Sequence, residues 1–285
     1  MQERLNSKIN EYIADMPSLP TSVAKVLEIC NDPHISPADL NHVISLDPVL
    51  VGRVLKLINS AYYGPGQQVT NMVRAIIMLG INTVKNLALS TAILHNLAVN
   101  RDIQGLNMEG FWRHSLCVGV AAKLIARRRG ADPKQLEEYF TAGLLHDIGK
   151  IPINAVLSRD YMSIISAADN ERVSMFRIED GKLGMNHCTA GAAIVRAWKL
   201  SGPVGAAIVN HHSYKEYSGS YRDILYSVAA ANRFAVTMEI GFAGDRYPET
   251  DNQVWEVLGI DEGVLNGIEK NVNEEIEKAK VFLRI

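Results

Sequence analysis

The spacing of hydrophobic residues predicts a series of short helices at the start of the chain. Ile9 and Ile13 lie one helical turn apart, within a pattern that predicts an amphipathic helix over residues 3–14. The sequence MPSLP follows and predicts an extended break. We expect Thr21 or Ser22 to cap the next helix, because a hydroxyl oxygen there accepts a hydrogen bond from a free backbone N–H.

Polar residues followed by proline mark the start of two more predicted helices. Ser36 and Asp47 each precede a proline, which is the pattern of an N-cap followed by proline at the first helical position. Gly80 separates two further predicted helices, which cover residues 72–79 and 81–95.

Longer helical patterns fill the second half of the chain. One predicted helix covers residues 111–129, one starts at Asp132, one follows Asn186, one covers 202–210, and two close the chain at 253–258 and 262–283. Residues 180–184 and 241–250 are predicted to be loops. The pattern as a whole predicts an all-α fold. We expect an N-terminal helical bundle over residues 1–100 to pack on a second bundle over residues 101–285 as one cooperative body.

Composition limits the classes of function. The formal net charge is -2, so no global basic field recruits nucleic acid. Cys30, Cys117 and Cys188 are far apart and lack CxxC spacing, which favours a reducing compartment. The polar start MQERLNSKIN is unlike a secretory leader, and no apolar run approaches the roughly 18 residues of a membrane span. We expect a cytoplasmic protein with no nucleic-acid or membrane partner.

His146 and Asp147 form the most unusual pair in the sequence. They follow an apolar run and precede a glycine in the segment YFTAGLLHDIGKIP, residues 139–152. Because ionisable side chains are rarely buried unless they are paired or bind a metal, the pair is a candidate for metal ligands. The structural alternative is a helix end at which His caps the helix and Asp accepts backbone N–H bonds.

The other histidines strengthen the metal interpretation. Five of the eight lie near the ends or on the buried faces of successive predicted helices, although His114 taken alone is more typical of a hydrophobic core. Imidazole and carboxylate ligands suit Fe, Mn, Zn or Ni. We predict one or two divalent ions, with these ligands: His114, His146 and Asp147 for one ion, and Asp147 with His187 and His211, His212 or both for the other. Two ions about 3.5–4 Å apart are typical of phosphoester cleavage.

Three runs of the sequence resemble the HDOD domain, a helical module of bacterial signalling proteins. They are MPSLPTSVAKVLEICNDP, SPADLNHVISLDPVLVGRVLKLINSAYYG and VRAIIMLGINTVKNLALSTAI, and the similarity extends from about Met16 into the C-terminal helix. The family is related to the HD superfamily of metal-dependent phosphohydrolases, although many members have lost the metal ligands. The resemblance implies an HD-type bundle over residues 101–285 and a regulatory or protein-interaction role.

The resemblance also carries ligand positions over one by one: His114, His146, Asp147, His187, His211 and His212. Lys150, in the segment HDIGK, matches a lysine that related phosphodiesterases place near the substrate phosphate; a surface lysine after a glycine is the alternative. Asn232 stands where HD phosphohydrolases carry a second Asp, and its uncharged amide is expected to be a weak ligand. The GYP loop of cyclic-dinucleotide phosphodiesterases is missing after His212.

Three hypotheses about function follow. The first is a regulatory module that retains a degenerate metal site and contacts an unidentified signalling protein. The second is a metal-dependent phosphohydrolase that binds a nucleotide or another phosphoester and uses Asp147 and Lys150 in catalysis. The third is a structural role, in which the metal holds the helices together. Asn232 favours the first hypothesis over the second, because an Asp at that position would complete the catalytic ligand set.

Overall fold

Helices account for the fold in the computed structural model of the chain, which describes residues 2–64, 66–98, 105–249 and 251–284. No strand occurs within these ranges, so the predicted all-α class is confirmed. The helices are α1 (Gln2–Asp15), α2 (Thr21–Ile29), α3 (Pro37–Ser45), α4 (Pro48–Ile58), α5 (Met72–Leu79), α6 (Ile81–Ala98), α7 (Met108–Arg128), α8 (Leu136–Leu145), α9 (Lys150–Leu157), α10 (Asp160–Glu171), α11 (Met175–Leu183), α12 (His187–Ala197), α13 (Gly202–Asn210), α14 (Arg222–Thr237), α15 (Gln253–Leu258) and α16 (Glu262–Ala279). Short 3-10 helices cover Pro133–Gln135 and Lys280–Arg284.

Side-chain caps begin several helices at the residues that the sequence predicts. Ser36 and Asp39 form a capping box at the start of α3, in which each side chain accepts a hydrogen bond from the backbone N–H of the other residue. Asp47 caps α4 through a hydrogen bond from a backbone N–H. Asn186 and Thr189 form a second capping box at α12. These caps fix the first turn of each helix and the direction of its side chains.

The predicted cap of α2 is wrong. The residue before α2 is Pro20, and neither Thr21 nor Ser22 acts as the N-cap. The Ser22 hydroxyl instead donates to the Asp47 carboxylate at 2.7 Å, because the start of α2 packs near the start of α4. Ser22 therefore forms a hydrogen bond with another helix in place of the predicted capping bond to its own helix.

The predicted loop at residues 180–184 is also wrong. α11 continues to Leu183, and Gly184 ends it in the left-handed conformation with φ of 67°. Ile178, Glu179 and Leu183 are buried, so packing of one helix face outweighs the loop-like composition of the segment.

α7 and α8 pack closely at the centre of the second half. A Cβ atom added to Gly143 would lie 2.8 Å from the Cα atom of Gly119, so the two helices meet backbone to backbone. Helices α6, α13 and α14 also pack on α8. The close approach of α7 and α8 brings the C-terminal end of α8 next to His114 on α7.

The N-terminal helices pack directly on the second half. α1 contacts α9 and α12, α6 contacts α8, and one hydrophobic cluster runs from Ile9 to Phe282. The predicted boundary between residues 100 and 101 lies outside the described residues. The closing helix α16 packs on α7 through one buried apolar face, which comprises Ile268, Val272, Ile276 and Ala279.

Among the described helices, none is by itself long and apolar enough to cross a membrane. α5 and α6 together reach that length and composition, but they are bent by 115° where they join.

Candidate metal centre

The six predicted ligands come from four parts of the chain and meet in one cluster. His114 lies on α7, His146 and Asp147 directly follow α8, His187 begins α12, and His211 and His212 directly follow α13. All are at most 2% exposed except His212, which is partly exposed. The remaining three histidines are exposed and contribute nothing to the cluster; they are His34, His42 and His95.

Gly149 allows the turn after α8 to approach the first turn of α12. A Cβ atom at Gly149 would lie 1.9 Å from the carbonyl oxygen of His187, so any larger residue would force the two segments apart. The missing side chain therefore lets Asp147 lie against His187.

Site A comprises Asp147 Oδ1 and the Nε2 atoms of His187, His211 and His212. Asp147 Oδ1 lies 3.4 Å from Nε2 of both His187 and His211. His187 Nε2 lies 3.3 Å from His211 Nε2 and 3.1 Å from His212 Nε2. Donor atoms that bind one ion at about 2.1 Å, with angles of about 90–110°, are about 3.0–3.4 Å apart. The measured separations match those of a metal coordination sphere.

Site B comprises Asp147 Oδ2 with the ring nitrogens of His114 and His146. His146 Nε2 lies 3.4 Å from Asp147 Oδ2, and the three residues have candidate ligand atoms within 4.8 Å of one another. Asn232 lies on α14, and its side chain is close enough to His114 to offset a small part of the effect of burial on the His114 pKa. The structure thus places Asn232 beside the site for which the sequence predicts a weak ligand.

Buried atoms without partners support a cation at both sites. Within the described part of the chain, Nε2 of His114, Nε2 of His146 and Oδ1 of Asp147 are buried and accept or donate no hydrogen bond. A buried polar atom without a partner costs about 1–3 kcal/mol. A divalent ion in each site would give these three atoms a partner, so the residues present fit such ions.

The ring nitrogens that face away from the cluster are already hydrogen-bonded. His146 and His211 each donate from Nδ1 to a backbone carbonyl in the preceding turn, at 2.7 and 2.9 Å. His187 donates from Nδ1 to Glu179 Oε2 at 2.6 Å. A proton fixed on Nδ1 leaves the lone pair on Nε2, as in histidines that bind metal ions.

Electrostatics keep the ligands of site B in the forms that bind metal. Burial lowers the pKa of His114 to about 4 and that of His146 well below its usual range, so both are neutral at pH 7. Burial alone would raise the pKa of Asp147, but the adjacent Lys150 ammonium holds it well below its usual range. Neutral imidazoles beside one carboxylate therefore offer lone pairs and negative charge together.

Site A attracts positive charge. Burial by itself lowers the pKa of His187, but the ion pair with Glu179 raises it well above its usual value. Burial by itself also lowers the pKa of His211, but Cys188 and Asp147 raise it to about 9. Burial raises the pKa of the Cys188 thiol, while His211 and His187 lower it to about 6. A divalent cation competes with protons for such nitrogens.

Lys150 is buried between two carboxylates, so its interpretation as a surface lysine is wrong. Its Nζ atom lies 2.9 Å from Asp147 Oδ2 and 2.7 Å from Asp245 Oδ2, and it donates to the Ala243 carbonyl at 3.0 Å. Burial alone would lower the pKa of Lys150, but Asp147 and Asp245 raise it above its usual value. A contact between Lys150 and a phosphate stays a prediction.

Three residues of the cluster were not recognised as site residues from the sequence. Glu179 borders a segment with loop-like composition, and Asp245 lies inside a predicted loop. Cys188 directly follows His187, a predicted ligand, and this position is the one feature of the sequence that could mark it. Tertiary packing alone brings Glu179 to His187 and Asp245 to Lys150.

A pocket of about 220 Å³ opens beside site B. Its lining includes His114, Asp245, Phe242 and Arg246. The Arg246 guanidinium packs over the Phe242 ring and pairs with Asp169 at 3.0 Å. The pocket therefore connects the surface with one predicted ligand.

The sequence profile of the HDOD domain matches residues 16–214, which include every predicted ligand except Asn232. The chain belongs to the HDOD domain family. An uncharacterized protein of Treponema pallidum is 24% identical over 231 residues, which are 80% of this chain and 44% of that protein. This HDOD chain thus spans less than half the length of the curated relative it matches.

Solved structures of other bacterial proteins share the fold. An HDOD domain protein of unknown function from Geobacter sulfurreducens is 25% identical with a TM-score of 0.74, and the match covers 97% of both chains. A protein of Shewanella amazonensis that is provisionally named a phosphohydrolase is 25% identical with a TM-score of 0.69, over 98% of this chain and 97% of that one.

Proposed function

We propose that this chain is a regulatory HDOD module that holds one or two divalent metal ions and acts by contacting a signalling protein. One observation supports the metal site: imidazole Nε2 atoms converge on Asp147. The Nδ1 atoms of His146, His187 and His211 are at the same time held in hydrogen bonds. Fe, Mn, Zn and Ni all suit this ligand set. A bound ion would supply positive charge and Lewis acidity at Asp147.

The ligands themselves give the site a means of regulation. His114, His146, His187 and His211 belong to or border α7, α8, α12 and α13, so each ligand fixes its helix relative to Asp147. The surface formed by these helices depends on how well the ligands are held together. A partner that recognises this surface would distinguish a loaded module from an empty one.

Metal content is the first test. We expect protein purified without an affinity tag or chelator to contain metal near or above one ion per chain. A variant with both His146→Ala and Asp147→Ala should lose that metal, because it loses ligands of both sites. His95→Ala removes an exposed histidine of α6 and should keep it. Metal-free wild type with unchanged stability would contradict the metal part of the proposal.

A second candidate function is a metal-dependent phosphohydrolase acting on a nucleotide-type phosphoester. The pocket beside His114 and the provisional name of the Shewanella relative favour it. Asn232 in place of a carboxylate opposes it, as does the pairing of Lys150 with Asp147 and Asp245, which leaves that ammonium already neutralised.

Turnover separates the two functions. The regulatory proposal expects metal-loaded protein not to hydrolyse a generic aryl phosphodiester in the presence of Mn²⁺ or Fe²⁺. Turnover that is lost in the His146→Ala, Asp147→Ala variant would replace it with the phosphohydrolase. A large fall in melting temperature on chelation, with no change in binding of any partner, would instead support the structural role.

A further inference from the structure

Cys188 is a buried thiol beside site A whose position the ligand set so far does not explain. It is a free cysteine and is 7% exposed. Its Sγ atom lies 3.8 Å from Nδ1 and 4.0 Å from Nε2 of His211. The His211 Nδ1 atom already donates to the Ala207 carbonyl, so the sulfur is not needed as its acceptor.

The fold holds the thiol in this position. Cys188 is the second residue of α12, whose first turn is fixed by the capping box of Asn186 and Thr189. His187, the preceding residue, is fixed by Glu179. The capping box and the hydrogen bond from His187 to Glu179 therefore hold the first turn of α12, and with it the Cys188 sulfur, at the edge of site A.

The sulfur is within reach of an ion in site A. A sulfur bound at about 2.3 Å and a nitrogen bound at about 2.1 Å to one ion are at most about 4.4 Å apart, and Sγ lies 4.0 Å from His211 Nε2. Candidate ligand atoms of His187, Cys188 and His211 all lie within 4.8 Å of one another. Independently, Asp147 Oδ1 is buried without a hydrogen-bond partner and faces Nε2 of His187 and His211.

We propose that the Cys188 thiolate is a ligand of the ion in site A, an inference that rests on the proposed metal site. On binding, the sulfur forms a bond to the ion and its proton passes to solvent. A thiolate is a soft ligand that favours Zn²⁺ and Co²⁺ over Mn²⁺ and Mg²⁺. Site B offers only nitrogen and oxygen, so the two sites would differ in the metal they prefer.

Cobalt spectroscopy tests the ligand directly and without reference to activity. Metal-free protein in a buffer with a non-thiol reductant is titrated with Co²⁺. Visible d–d bands report cobalt held by the protein, and a near-ultraviolet thiolate-to-cobalt charge-transfer band reports sulfur ligation. We expect both in the wild type, and we expect Cys188→Ser to keep the visible bands and lose the charge-transfer band.

Cys117→Ser is the matched control. Cys117 is a free and fully buried cysteine on α7 whose pKa burial raises to about 12. This variant should keep both spectral features. A charge-transfer band that survives in Cys188→Ser and disappears in Cys117→Ser would overturn the proposal.

The cobalt titration distinguishes failure of the Cys188 proposal from failure of the metal-site proposal. Visible bands without a charge-transfer band in the wild type would overturn the role of Cys188 and leave the metal site standing. Absence of both features would overturn the metal site itself. Zn²⁺ affinity gives a second readout: Cys188→Ser should lower it about tenfold or more while Mn²⁺ affinity changes little, and an equal loss for both metals would contradict thiolate ligation.

Discussion

At the residue scale, Glu179 holds the imidazole of His187, one of the proposed metal ligands. Its carboxylate accepts the Nδ1 proton of His187 at 2.6 Å and the Tyr161 hydroxyl at 2.6 Å, and it is fully buried. We expect Glu179→Gln to lower metal affinity by about 10–100-fold, because the amide no longer fixes the imidazole or increases its basicity. Equilibrium titration with Zn²⁺ measures the change.

A surface glutamate provides the control for Glu179. Glu171→Gln changes the same functional group at an exposed position at the end of α10 and should leave Zn²⁺ affinity unchanged. Circular dichroism of Glu179→Gln must retain the wild-type helical signal. Equal affinities of Glu179→Gln and the wild type would show that the hydrogen bond to His187 does not tune the site.

The sequence marks the proposed ligands, whereas it does not mark the residues that hold them in place. His146 and Asp147 stand out because two ionisable residues follow an apolar run, and the later histidines fall at predicted helix ends. Glu179 and Asp245 reach the cluster only through tertiary packing, so no local pattern marks them. Lys150 was ambiguous for the same reason, since its burial depends on Asp245, which lies far from it in sequence.

At the element scale, Asp47 links the start of α4 to α2. It accepts hydrogen bonds from the Leu50 N–H and the Ser22 hydroxyl, and these lower its pKa. Since the folded-state pKa is below the unfolded value of 3.8, the stabilisation is complete well above pH 3.8 and is lost as pH falls further through the lower folded-state pKa. Asp47→Asn keeps an oxygen acceptor, so it should cost only about 0.5 kcal/mol at pH 7, given solvent screening.

Urea unfolding at several pH values measures this contribution. The difference in free energy of unfolding between the wild type and Asp47→Asn should be constant from pH 7 to about pH 5 and should shrink towards pH 3. A difference that stays constant down to pH 3 would show that the charge of Asp47 does not contribute.

Local sequence signals placed most helices but failed where distant residues supply the cap. The caps of α3 and α12 are visible because acceptor and donor lie three residues apart. The start of α11 is instead held by the predicted loop: Asp245 accepts the Met175 N–H and Glu249 accepts the Ser174 hydroxyl. Since these acceptors lie 70 and 75 residues downstream, no local pattern marks Ser174 and Met175 as the start of α11.

At the scale of the whole molecule, a partly buried polar cluster connects the first hundred residues with the helices that carry the proposed metal ligands. The Tyr63 hydroxyl donates to Glu137 Oε2 at 2.8 Å. Glu137 also pairs with Lys123, whose ammonium lies 4.6 Å from the centre of the Tyr62 ring. Phe140 on α8 and Phe282 near the chain end pack against that ring, so the contacts cross the predicted boundary between the two bundles.

We expect the two halves to unfold in one transition, as the sequence predicts for two bundles that form one cooperative body. All three tryptophans, Trp112, Trp198 and Trp255, lie in the second half, so their fluorescence reports on that half, whereas far-ultraviolet circular dichroism reports on every helix. The two urea transitions of the wild type should coincide. Tyr63→Phe should shift both midpoints to lower urea by the same amount, corresponding to about 1–2 kcal/mol, because Glu137 loses a partly buried hydrogen bond.

An exposed residue of the same half provides the comparison for Tyr63. Val49→Ala truncates a side chain of α4 that is 60% exposed, so it should shift neither midpoint appreciably. If Tyr63→Phe instead left the fluorescence midpoint unchanged and split the circular dichroism curve into two steps, the halves would unfold independently. The helices that carry the proposed ligands would then derive no stability from the first hundred residues, and the proposed metal-dependent surface would be confined to the second half of the chain.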